Sequence, residues 1–130
     1  MLRSPKSVRL VGTGLTELGR LGVSATKLQA AALERALSDA KLELSDVDGL
    51  VAVPSLSEPR FMQAHFLATT LGLLPDRNKL MRTIDTGGAG PISALLEVQH
   101  RQGSQRVRAE GGECGRAGRP HRWCIILLQQ

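Results

Sequence analysis

The chain has 130 residues, a net charge of +5, and only Phe61, Phe66 and Trp123 as aromatic residues. That length suits one domain with its own core rather than two, and so few aromatics leave little for base stacking, which argues against a nucleic-acid partner. No apolar run approaches the roughly 20 residues that span a bilayer, and the two cysteines, Cys114 and Cys124, make no disulfide framework, so a reducing compartment is the default.

Taken in chain order, the start carries Arg3, Lys6, Arg9 and two serines with no acid, the flavour of an organelle leader, so mitochondrial matrix and cytoplasm both stay open. Residues 1–6 form a short extension. Val8–Val11 is then predicted as a strand ending in Gly12-Thr13-Gly14. Ser24 is the expected N-cap of a helix reaching about Lys41, with Ala32, Leu33, Ala36, Leu37 and Ala40 on its buried face. Val47–Val53 reads as a strand covered on both sides and closed by Pro54. Ser57-Glu58-Pro59 is expected to open a second helix whose inner face is Phe61, Ala64, His65, Ala68 and Leu71, with Gly72 at its end. Leu80–Thr86 is the third predicted strand, and Ile92 to about Arg101 the third helix. Strand–helix units in sequence imply an α/β fold with a parallel sheet and right-handed crossovers.

Beyond Gln102 the character changes. Residues 1–100 carry 11 Lys/Arg against 10 Asp/Glu, whereas residues 101–130 carry six Arg against Glu110 and Glu113, so the basic pI belongs mostly to the tail. Residues 103–120 show neither helical nor strand period, and Trp123–Leu128 is a six-residue apolar burst that does not make a convincing fourth strand. The expected organisation is a body over residues 7–102 followed by an irregular Gly/Arg-rich tail over 103–130. A sheet cut there leaves an apolar edge unpaired, which points to a truncated product whose tail arises from a shifted reading frame or an alternative transcript. The tail arginines, lacking aromatics or an amphipathic pattern, read as solvated charge.

The most informative junction is Asp85-Thr86-Gly87-Gly88-Ala89-Gly90-Pro91, a strand entering a glycine turn and then a helix. Such a helix points free N–H groups and a positive dipole end back into the turn, the place where α/β enzymes mount a nucleophile or hold an anion. Only glycine and alanine stand at this corner, so it has the shape of a catalytic elbow without the nucleophile. A tight turn with close backbone approach is the simpler reading of the same residues. Gly12-x-Gly14 after a strand fits two glycines of a dinucleotide fingerprint, but Glu17 occupies the third position. His65 is expected to be a partly buried core or interface histidine, and His100 to end the third helix beside the negative dipole end. His121, Cys124 and Cys114 offer too few zinc ligands at poor spacing, so no metal is expected.

Residues 11–19 (Val-Gly-Thr-Gly-Leu-Thr-Glu-Leu-Gly), the Leu37-Ser38-Asp39-Ala40-Lys41-Leu42 helix end and Asp46-Val47-Asp48-Gly49-Leu50 resemble, in that order, the N-terminal part of the thiolase superfamily, nearest to its sterol-carrier-protein type and thiolase-like relatives. Leu71-Gly72-Leu73 and the Asp85–Gly90 corner fit the same alignment, which covers about residues 7–102, with Lys41 standing where the group usually has glycine. The resemblance implies the first half of a βαβαβα thiolase-like domain and acyl-CoA chemistry, with a coenzyme A thioester as substrate and no cofactor. It places Gly88 at the position of the nucleophilic cysteine of the family's Cys-Ala-Ser-Gly motif, with Ala89, Gly90 and Pro91 following. Gly87, Gly88, Ala89 and Gly90 are then the thioester-facing backbone. The family's Gly-His-Pro histidine, its second histidine and its Cys-Gly-Gly cysteine have no counterpart here, and Cys114-Gly115 is followed by arginine. The expectation is therefore an acetyl-CoA acetyltransferase-like fragment of lipid metabolism, inactive alone. The alternatives are a non-catalytic module that binds acyl-CoA or pairs through Leu80–Thr86 with itself or a full-length relative, and a nucleotide-binding α/β fragment.

Overall fold

The computed structural model describes residues 9–74, 80–109 and 123–126. It is a mixed α/β structure with three helices, α1 (Ala25–Ala40), α2 (Gln63–Thr70) and α3 (Gly90–Ala109), and three strands, β1 (Gly49–Ala52), β2 (Leu80–Thr83) and β3 (Trp123–Ile126). The strands form one parallel sheet of order β2-β1-β3, with Gly49 opposite both Leu80 and Trp123.

β1 is the hub because its side chains alternate between two apolar layers. Leu50 and Ala52 face α1 and α2, packing with Leu33, Ala64, Leu67 and Ala68. Val51 faces the other way with Val53 beyond the strand, and both pack on Ala94 and Val98 of α3. All four residues of β1 are buried, as a parallel strand covered on both sides requires. Each fully buried leucine here contributes about 2 kcal/mol relative to exposure.

Helix α1 matches the sequence expectation. Ser24 accepts a long 3.5 Å hydrogen bond from the Lys27 amide, and a second cap, a carboxylate, comes from outside the helix, where Glu58 accepts from the Ala25 amide at 2.9 Å. A carboxylate at this end also meets the positive pole of the helix. At the far end Lys41 lies in the left-handed region with φ of 54°, its amide donating to Ser38 and that of Leu42 to Leu37. This is the Schellman pattern, ordinarily made by glycine.

Four expectations are corrected. First, Arg9–Val11 form no strand, and Val8 lies outside the described residues. This segment begins an arm that lies against α1 at Gly12–Leu15, with Leu10 and Val11 exposed by 79% and 63%. Second, Ser57-Glu58-Pro59 do not open α2, since Glu58 is engaged at the α1 cap. The helix starts at Gln63 after Met62 turns left-handed at φ of 57°. Phe61 consequently leaves the inner face, which is Gln63, Ala64, Leu67 and Ala68. Gly72, at φ of 73°, closes the helix as expected, with the Leu73 amide donating to Ala68. Third, α3 continues to Ala109 rather than stopping near Arg101. Gln102, Gln105, Arg106, Arg108 and Ala109 are good helix formers that outweigh the about 1 kcal/mol penalty of Gly103. The first seven residues of the supposed irregular tail are therefore helical. Fourth, Trp123–Ile126 does supply a strand, on the free side of β1, where an apolar run rich in isoleucine finds a ladder to complete.

Candidate functional site

The Gly87–Gly90 corner stands at the C-terminal end of β2, the edge of a parallel sheet where ligand crevices form. Strand β2 ends at Thr83, short of the predicted Thr86, with the Ile84 amide still donating to Ala52 at 3.0 Å. Gly87–Ala89 then make a single 3₁₀ turn that runs into α3. Each glycine at the corner has its own role. Gly87 has φ of 59°, a left-handed turn that an L side chain rarely adopts. Gly90 is buried, and a Cβ there would lie 2.6 Å from Val53 Cγ1, so the close approach of α3 to β1 requires its bare backbone. Gly88 is different, because a Cβ there would meet nothing within 4 Å. It is exposed, as are Thr86, Gly87 and Ala89.

Pro91 occupies the first turn of α3, where a missing N–H is harmless, and Thr86 Oγ1 bonds Ser93 Oγ at 3.1 Å, tying the turn to the helix. The corner thus presents a helix N-terminus and an unobstructed glycine to solvent, with no ionisable or nucleophilic side chain among residues 87–91.

Beside it, an open groove of about 530 Å³ is lined by Arg60, Phe61, His65, Arg82 and Asp85 among others. Arg60 stacks on the Phe66 ring, 4.6 Å from its centroid, and Arg82 pairs with Glu97 at 3.1 Å. His65 is half-buried on this wall as expected, and its Nδ1 is buried with no hydrogen-bond partner among the described residues.

The other residues singled out in the sequence fall elsewhere. Gly12 and Gly14 lie in the arm, against α1: a Cβ on Gly12 would strike the Ala36 carbonyl oxygen, and one on Gly14 the Ala32 carbonyl oxygen. Their bare backbones serve helix contact, and the arm is pinned there by the Thr13 amide donating to Asp39 at 2.9 Å and by Arg35 donating to the Leu15 carbonyl. His100 sits exposed within α3, nine residues before its end, so the C-terminal dipole role is removed. Cys124 is on β3, while Cys114 and His121 lie outside the described residues. No group of three or more potential metal ligands occurs among the described residues, and no described helix is long and apolar enough to cross a membrane.

Sequence reasoning missed a buried amide pair that fixes the top of β1. Gln29 donates to the Val53 carbonyl at 3.1 Å and accepts from Gln63, and both residues are almost wholly buried. The available signal was position: Gln29 falls on the same helical face as Ala25, Ala32 and Leu33, where a polar residue needs a partner. No protein-family model matches the chain, and no curated protein matches it either.

Proposed function

We propose that the chain is the N-terminal half-domain of a thiolase-like acyltransferase, handling a coenzyme A thioester in its parent form and inactive alone because glycine stands at the nucleophile position. The observation that supports this reading is the corner itself. A parallel strand, a one-turn 3₁₀ link and the N-terminus of a 20-residue helix surround an exposed Gly88 with open space where a side chain would project. A cysteine there would sit against the positive helix pole, which favours thiolate. Gly87, Ala89 and Gly90 would then offer backbone to the thioester. The outer face of α3 adds support, because Ile92, Leu95 and Leu96 are 66%, 42% and 51% exposed and call for a further layer.

The test is Gly88→Cys in the full chain, alkylated with iodoacetamide at pH 7 and followed site by site by mass spectrometry. Reaction at residue 88 at least about tenfold faster than a free cysteine thiol is expected. An ordinary rate would sink the elbow reading.

A non-catalytic pairing module is the second reading, and one feature favours it. Among the described residues β2 has a ladder partner on one side only, leaving the Leu80–Thr83 edge open to another chain. Sedimentation velocity decides self-pairing: a monomer at tens of micromolar would remove it while leaving the thioester reading intact.

A further inference from the structure

Helices α1 and α2 lie on the same face of β1, since Leu33, Leu67 and Ala68 all pack with Leu50 and Ala52. From β1 the chain crosses that face through α2 and returns as the parallel neighbour β2. Crossovers between parallel strands are right-handed almost without exception. A parallel strand preceding α1, using the same face and hand, would travel across the sheet in the same direction. It would therefore pair with β1 on the side away from β2. That side is the one Trp123–Ile126 occupies, in register from Gly49 opposite Trp123 to Ala52 opposite Ile126.

The segment that precedes α1 is suited to that place. Arg9–Val11 follow a strand-forming pattern, yet their backbone joins no ladder and Leu10 and Val11 stand in solvent. Thirteen residues, Gly12–Ser24, connect this segment to α1. At about 3.3 Å per extended residue, that length is ample for a return to the sheet. The hydrogen bonds at Thr13 and Leu15 that pin the arm are both at the exposed surface, where each is worth only about 1 kcal/mol.

We propose that Arg9–Val11 and Trp123–Ile126 are alternative occupants of one edge of β1, so that the C-terminal strand holds the N-terminal strand out of the sheet. Entry of the arm completes a β–α1–β1 unit and buries Leu10 and Val11. Entry of β3 leaves the arm on α1. This inference is independent of the thioester reading, because it concerns the edge of the sheet and not the corner.

Hydrogen exchange on the full chain carrying Ile125→Pro tests it. Proline cannot serve inside a paired strand, so the arm is expected to take the edge. Amides of residues 9–11 should then exchange at least tenfold more slowly, with α1 amides still protected. Unchanged exchange in the arm, with α1 protected, overturns the proposal. Should α1 lose protection as well, the reciprocal variant Leu10→Pro decides: blocking the arm is expected to slow exchange in residues 123–126 several-fold, and no change there overturns the proposal.

Discussion

Gly12 and Gly14 in the arm, and Gly87 to Gly90 at the corner, both follow extended backbone and precede a helix, yet they use the missing side chain differently. In the arm both glycines face α1 at distances that leave no room for a Cβ. At the corner only Gly90 is held that way, against Val53, while Gly88 faces open space. Absence of a side chain is a packing requirement in the first region and, at one position of the second, a vacancy. A glycine-rich motif therefore says nothing about ligands until each glycine has been asked what its Cβ would meet.

The comparison breaks most visibly at Gly90. A Gly90→Val change puts its first carbon 2.6 Å from Val53 in the buried layer under α3, and overpacking of that kind costs about 1–3 kcal/mol. Urea unfolding should show a lowered midpoint with an unchanged slope. Gly14→Val in the arm has a smaller expected effect, about 1–2 kcal/mol, because the arm can lift away and forfeits mainly its two surface hydrogen bonds. Its signature is local, with faster proteolytic cleavage in residues 9–20 and no change in the exchange of β1. Lys41 sharpens the contrast from the other side, since its φ of 54° is held by a lysine. Lys41→Gly relieves a left-handed backbone strain of about 1 kcal/mol and should raise the melting temperature by several degrees.

How much of this was legible in the chain follows from how local each cause is. The bounds of α1, the β1 hub and the Gly72 stop come from capping, periodicity and turn chemistry within a few residues of each other, and they stand as read. The start of α2 was misplaced because Glu58 is taken by the amide of Ala25, a partner 33 residues away. The edge strand was misplaced because β1 offers one place and two segments suit it. Only the assembled sheet shows that Trp123–Ile126 holds it. The corner was visible as a strand–glycine–helix pattern, but the difference between Gly88 and Gly90 depends on Val53, which arrives from β1. The buried Gln29–Gln63 pair needed both helices in place before either amide had a reason to be there.

The smallest predicted effect discriminates best between the two uses of glycine. Gly88 is exposed, its Cβ position is empty, and it is absent from the left-handed positions, which at this corner include Gly87 alone. Nothing in the fold therefore requires glycine at residue 88. Gly88→Ala should change the stability by no more than about 0.5 kcal/mol, with alanine's lower backbone entropy in the unfolded chain pushing toward a slight gain. A loss above about 1 kcal/mol, measured by urea unfolding beside Gly90→Val, would mean that the turn tightens on residue 88 and that the open space is not there in solution. Neutrality would mean that the fold tolerates a side chain at the centre of the elbow, which is the condition for a nucleophile ever to have stood there.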